Sequence, residues 1–210
     1  MENASKALLM AGAILISLIV ISAFVFAYRD LTSVKRQEAE NQKVEEIAEF
    51  NKSFESYEKD LKGAQIFSLA NKIQDYNNKY VNGMNEGYQE ISFQVQTPNG
   101  TKEKEYYIRL QKDVDDMMMN TYKSSNYLEA LYNAYKIKDN NPSDEEKDKA
   151  NITINAVKEK IGNSANDKQT IDDNYKTYDE YKALKNKTFK SEGVTYYSNG
   201  RIKSMTYTQI

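Results

Sequence analysis

Ile91–Leu110 reads ISFQVQTPNGTKEKEYYIRL, and it is here that the chain changes its hydrophobic period. Ile91, Phe93 and Val95 alternate with Ser92, Gln94 and Gln96, the pattern of a strand with one buried face. The turn Pro98-Asn99-Gly100-Thr101 follows, and Asn-Gly between alternating runs is a strong hairpin signal. With Asn99 and Gly100 central, Phe93 falls opposite Tyr106 and Ile91 opposite Ile108. The predicted second strand is then Glu103–Leu110, with Ile91, Phe93, Val95, Tyr106 and Ile108 on one face.

A second hairpin is predicted at the end of the chain. Val194–Tyr197 and Ile202–Thr208 flank Ser198-Asn199-Gly200-Arg201, with Asn199 and Gly200 as the turn residues. The same register pairs Val194 with Met205 and Tyr196 with Lys203, so that Val194, Tyr196, Met205 and Tyr207 share a face. Two such hairpins combine into a four-stranded antiparallel sheet packed on helices around residues 47–80, an α+β head.

Ahead of the hairpins the period is helical. Ile66, Leu69, Ile73, Tyr76 and Tyr80 form one stripe of a helix over 64–80, which Gly63 opens and Asn82-Gly83 stops. Val44, Ile47, Phe50, Phe54, Tyr57 and Leu61 form an earlier stripe, read as a helix packing on its own domain rather than a coiled-coil seam. Between the hairpins, 112–136 is helical, and Met117-Met118-Met119 is core filling rather than a soft metal site. Asn140-Asn141-Pro142 is a loop. Ser143 with Glu146 makes a capping box for a helix to about Ile161 carrying Ile154 and Val157, and Thr177 with Glu180 makes another for a short helix bearing Tyr181 and Leu184. Gly162–Gln169 is an exposed loop, and 139–175 is a peripheral insertion.

The N-terminus is of another kind. Ala7–Ala27, ALLMAGAILISLIVISAFVFA, holds no charge, and includes Ala7, Leu8, Ile14, Leu15, Leu18, Ile19, Phe24 and Ala27. As a helix these 21 residues span about 31 Å, the thickness of a hydrocarbon core. The run exceeds the 7–15 residues or so of a signal-peptide core, which favours a retained anchor. Cleavage after Val25-Phe26-Ala27 and a pilin-like helix are the alternatives. The predicted organisation is a transmembrane helix over 1–27, a helical stalk over 28–62 and a head over 63–210. The lipid bilayer is the first expected partner. Arg29, Lys35, Arg36 and Lys43 favour a cytoplasmic body by positive-charge count, but Asp30, Glu38, Glu40, Glu45 and Glu46 are interleaved and long domains translocate regardless. The body is placed outside.

Composition removes several chemistries. There is no cysteine and no histidine, which excludes disulfides, thiolate nucleophiles and the Ser-His-Asp and Cys-His arrangements. Basic and acidic residues number 29 and 31, so no basic field exists for nucleic acid. Asp113, Asp115 and Asp116 lack the glycine and distal glutamate of a calcium loop, and Asp172-Asp173 is equally plain. Phosphate-binding glycine motifs are missing, and no two carboxylates stand out for glycoside hydrolysis. No catalytic, metal or cofactor site is expected. The 17 tyrosines, amphipathic side chains suited to adhesive surfaces, are the candidates for a binding face on the sheet. Low-GC codon usage for Lys, Asn, Ile and Tyr is consistent with a bacterial source.

An apolar N-terminal helix continuing into an amphipathic one, followed by antiparallel hairpins, resembles the type IV pilins and pilin-like surface proteins. The opening MENASKALLMAGAIL is similar to that of small single-anchor proteins of this build. The resemblance implies a non-enzymatic surface protein that assembles as a homo-oligomer or meets an envelope partner. The chain departs from the pilin pattern at two places: Lys6 stands where the leader ends in glycine, and Ala11 where the fifth position carries glutamate. A membrane-tethered module recognising a cell-wall polymer or a protein partner is the second expectation.

Overall fold

The computed structural model describes residues 2–83, 88–122, 125–161 and 168–210. It divides into two units, Met1–Ser53 and Phe54–Ile210. The first is a single helix, α1 (Glu2–Lys52), none of whose residues is buried. The expected stripe over 44–61 does not lie on one helix. Lys52 ends α1, and a 3₁₀ turn over Glu55–Tyr57 opens the second unit. The reason is burial: Phe54 and Leu61 belong to the core of the second unit, at 1% and 0% exposure. Asp60 accepts a hydrogen bond from the Ser191 amide at 3.0 Å, tying this segment to the end strands.

The second unit is an α+β head built on one sheet. Its strands are β1 (Leu61–Lys62), β2 (Ser92–Thr97), β3 (Gly100–Glu103), β4 (Thr188–Tyr196) and β5 (Ile202–Gln209). They lie in the order β1-β4-β5-β2-β3. The sheet is mixed, not the four-stranded antiparallel one expected. β2 and β5 run parallel, with Phe93 beside Met205 and Val95 beside Tyr207, while the other neighbours are antiparallel. Alternation holds on β2, where Phe93 and Val95 are buried and Ser92, Gln94 and Gln96 exposed.

The first hairpin is shorter than predicted and shifted in register. Thr97 pairs with Gly100 and Gln94 with Glu103, which centres the turn on Pro98-Asn99. Gly100 has a φ of 100°, whereas Asn99 is not in the left-handed region, so the two positive φ angles of a type I′ turn are not met. Proline fixes φ near −65°, which suits the first central position of a turn. The predicted second strand past Glu103 is instead α3 (Lys104–Asp116). Tyr107, Leu110 and Val114 are its buried residues, at steps of three and four, and this helical stripe outweighs the alternation of Tyr106, Ile108 and Leu110.

In the end hairpin Val194 pairs with Met205, but irregularities at Glu192 and near Tyr196 bring Tyr196 opposite Ile202 instead of Lys203. Tyr196 is accordingly half exposed, at 50%, rather than on the core face with Met205 and Tyr207. Gly200, at φ 86°, closes the turn.

Helices α2 (Gly63–Tyr76), α3 and α6 (Lys168–Asn186) pack on one another, with α2 and α3 also against the sheet, while α4 (Ser125–Asp139) and α5 (Asp144–Ile161) lie outside them. Asn82-Gly83 follows a π-turn over Asn77–Val81 that ends α2. A second π-turn, Met117–Thr121, ends α3 and separates the three methionines: Met117 is buried, Met118 half-buried and Met119 exposed. The Ser143–Glu146 capping box forms, with the Glu146 amide donating to Ser143 Oγ at 3.3 Å and the Ser143 amide to Glu146 Oε2 at 2.8 Å. Ala150, Ile154 and Val157 of α5 are buried. The expected loop over 162–169 falls largely outside the described residues, and α6 begins at Lys168. Thr177 opens no helix, because α6 runs through it to bury Ile171, Tyr178 and Tyr181.

An aromatic cluster joins the two layers. Phe67 meets Tyr107 and Tyr181 edge-on at 5.6 and 5.1 Å, and Phe93 meets Tyr107 and Tyr207 at 5.7 and 5.9 Å. Where β2 begins, the buried Asn77 side chain takes the place of a neighbouring strand: it accepts from the Ile91 amide and donates to the Ile91 carbonyl, both at 3.0 Å. The Tyr107 hydroxyl is buried and has no hydrogen-bond partner among the described residues. A buried donor left unpaired costs about 1–3 kcal/mol. Tyr107→Phe is therefore expected to leave the head as stable or raise its stability by about 1 kcal/mol, measured by urea denaturation.

Candidate functional site

The first candidate is the apolar half of α1. Among the described residues it is the one helix long and apolar enough to span a membrane, and its apolar window is wholly unburied. Leu8, Ile14, Leu15, Leu18, Ile19 and Phe24 are all exposed, and Ala7 and Ala27 bound the run. Its two polar side chains are satisfied inside the helix. Ser17 Oγ donates to the Ala13 carbonyl and Ser22 Oγ to the Leu18 carbonyl, each at 2.8 Å. No polar group of the stretch is left to seek water, which is the condition hydrocarbon imposes. Charge begins at the borders, with Lys6 paired to Glu2 at 3.0 Å on one side and Arg29 on the other. Tyr28 sits at the second border, the depth at which tyrosine favours a lipid–water interface.

Of the strand tyrosines, Tyr196 is half exposed and Tyr207 is buried. Eight of the 17 tyrosines lie on α3, α4 and α6, where four pairs join α4 to α6. Tyr178 donates to Glu129 at 2.7 Å, Tyr132 to Asp179 at 3.3 Å, Tyr135 to Asp172 at 3.1 Å and Tyr175 to Asp139 at 2.6 Å. Each helix gives tyrosines and carboxylates to the other. Lys182 completes the array, bonding Glu129 at 2.9 and 3.1 Å with its ammonium 5.3 Å from the Tyr132 ring. The sheet face away from the helices carries hydroxyls and amides instead, with Ser92 beside Ser204, Gln94 beside Thr206 and Gln96 beside Thr208.

This zipper has a pH signature. Burial, then the hydrogen bond to Asp172 and its charge, push the Tyr135 hydroxyl up to about 12. Burial and then a carboxylate partner raise Tyr175 and Tyr178 likewise. An unfolded tyrosine loses its proton near pH 10 or so while the folded one keeps it. The tyrosines thus contribute stability that is full below about pH 10 and is lost as pH rises towards the folded values. The urea midpoint is expected to be flat from about pH 7 to 9 and to fall above about 10. The variant Tyr135→Phe/Tyr178→Phe should fall less steeply.

The second candidate is a cleft of about 230 Å³ in the head. The β2–β3 turn gives Pro98 and Asn99, β3 gives Lys102, α3 gives Tyr106, the end of α6 gives Glu180 and Leu184, and Lys187 and Gln209 close it. Tyr106 donates its hydroxyl to Glu180, and burial with this carboxylate raises its pKa. The Lys102 ammonium lies 4.8 Å from the Tyr106 ring centroid.

Asn99 thus lines the cleft, and Gly100 begins β3 beside it. Asn199 accepts from the Arg201 amide at 3.1 Å in the other turn, with Gly200 next to it. Sequence read Tyr106 as a strand residue facing the core and Glu180 as part of a capping box, and did not single out Lys102, Lys187 or Gln209; the five meet only because four separate segments converge. Of the acidic clusters, Asp113, Asp115 and Asp116 are exposed on α3, while Asp172 serves Tyr135 and Asp173 lies 3.8 Å from Lys176. Among the described residues no group of acidic side chains is placed to hold a metal ion. No protein-family model, curated protein or solved structure matches the chain.

Proposed function

We propose that this chain is a non-enzymatic, single-pass membrane-anchored protein whose apolar stretch Ala7–Ala27 stays in the bilayer and whose body stands outside a bacterial cell. The observation that carries this reading is the exposure of every residue of an uncharged helical stretch whose two serines are already hydrogen-bonded. In water that surface would be a large uncompensated apolar area, and in lipid it is matched. The absence of histidine and cysteine supports the non-enzymatic part. Assembly of copies through the anchoring helix is the mode that the pilin resemblance implies.

Membranes washed with alkaline carbonate, followed by sequencing of the mature N-terminus, test the anchor. The full chain beginning at or near Met1 is expected in the pellet. A soluble chain beginning at Tyr28 would overturn the reading. A purely monomeric chain after mild detergent extraction would remove the assembly part.

A second reading, a tethered binding module, is favoured by the cleft, where the side chains of Asn99, Lys102, Lys187 and Gln209 converge without a hydrogen bond or ion pair to the described residues. Its binding surface is then this cleft rather than a tyrosine face of the sheet.

A further inference from the structure

The lysines of the head fall into two groups, those held by carboxylates and those that are not, the latter including Lys59, Lys112 and Lys158 as well as the two of the cleft. Lys104, Lys136 and Lys182 are each held by carboxylates. The side chains of Asn99, Lys102, Lys187 and Gln209 make no hydrogen bond or ion pair with the described residues. Glu180, the carboxylate of the cleft, is already occupied by the Tyr106 hydroxyl. What the cleft offers a visitor is therefore two ammonium groups, two amides that both donate and accept, and an apolar wall. That wall is made by Pro98, Leu184 and the Tyr106 ring.

Each component narrows the ligand. The two lysines select an anion, and a carboxylate is the natural partner of such point charges. Amides beside an aromatic ring suit a group with several hydroxyls and an apolar C–H face, which is the chemistry of a pyranose ring. The volume, about 230 Å³, lies below the lower limit of about 300 Å³ for drug-sized ligands, so it admits one small unit. An acidic peptide would satisfy the lysines and leave the amides and the ring unused. We propose that the cleft binds an acidic saccharide, one uronic-acid residue at a time, with its carboxylate on Lys102 and Lys187 and its ring against Tyr106. This rests on the binding-module reading and names its ligand class.

The test is calorimetric titration of the full chain in detergent micelles with tetragalacturonate, with neutral galactotetraose and with tetraglutamate. Tetragalacturonate is expected to bind at least about tenfold more tightly than galactotetraose, which lacks the carboxylates, and than tetraglutamate, which lacks the hydroxyls and the pyranose face, since the loss of either set of contacts is worth about a factor of ten or more. Lys102→Gln, Lys187→Gln and Tyr106→Leu should each weaken it about tenfold, while Lys102→Arg largely restores it. Lys203→Gln, at the far end of β5, should leave it unchanged, and all variants are checked for an unaltered thermal transition. Equal binding of tetraglutamate, no binding of tetragalacturonate, or indifference to the two lysine changes would each overturn the proposal. The titration is done in micelles, so its failure leaves the membrane anchor standing, and loss of the anchor leaves the titration intact.

Discussion

Gly63→Ala is expected to unfold most of the head's stability margin, with a loss of at least about 3 kcal/mol. Propensity alone argues the opposite, because alanine is favoured over glycine in a helix by about 1 kcal/mol. The contact decides. A Cβ at residue 63 would stand 1.8 Å from the Leu184 carbonyl oxygen, 2.6 Å from its carbon and 2.7 Å from Lys185 Cα. All three are backbone atoms, so no rotamer relieves the clash. The approach is close because the Gly63 amide donates to the Lys187 carbonyl at 2.9 Å, where the start of α2 meets the end of α6. β1 and β4 pair immediately alongside, Leu61 with Phe189 and Lys62 with Thr188. Moving α2 away would break that junction and uncover Leu61, Ile66 and Phe189, all fully buried. Domains hold about 5–15 kcal/mol in total, so the urea midpoint should fall sharply. A midpoint within about 0.5 kcal/mol of the parent would show that the junction is looser than described.

Leu15→Arg/Leu18→Arg is expected to move the chain out of the carbonate-resistant membrane fraction. The two positions are three apart on one side of α1 and lie near the middle of the apolar stretch. On an insertion scale each arginine there costs about 2.5–3.5 kcal/mol, and each lost leucine adds about 0.5. The pair therefore opposes insertion by about 6–8 kcal/mol. The head has its own core beginning at Phe54, so its thermal transition should not change. Retention of the double variant in the pellet would show that the chain is held by something other than this helix.

How much of this was legible beforehand differs from element to element. Ala7–Ala27, the stripe of Ile66, Leu69 and Ile73, the Ser143–Glu146 box and strand β2 all follow from local patterns, which need only a few neighbouring residues. Residues 104–110 satisfied two periods at once, and only Val114, beyond the alternating run, decides for the helix. The parallel pairing of β2 with β5 joins residues more than a hundred positions apart, and no turn residue announces it. Hairpin logic sees only neighbours, so it returned an all-antiparallel sheet. Gly63 read as punctuation, but its role is a close backbone approach across the fold. The cleft was the least legible feature, because the local signals at Asn99, Tyr106 and Glu180 pointed to a turn, a strand and a helix cap, and Lys102, Lys187 and Gln209 carried none. The tyrosine–carboxylate pairs were illegible for a similar reason. The abundance of tyrosine shows in composition, but the carboxylates that draw Tyr132, Tyr135, Tyr175 and Tyr178 between α4 and α6 become neighbours only in the folded head.

The proposed placement of the helix in lipid, with the body outside, is tested most directly by thiol labelling of intact cells. The chain has no cysteine of its own, so a single introduced one reports its position without background. Ser17→Cys lies inside the apolar stretch, and Ser198→Cys in the exposed β4–β5 turn. With a membrane-impermeant maleimide, Ser198→Cys is expected to label in intact cells and Ser17→Cys only after the membrane is dissolved in detergent and the protein denatured. Rapid labelling of Ser17→Cys in intact membranes, or protection of Ser198→Cys until cells are broken, would contradict the account.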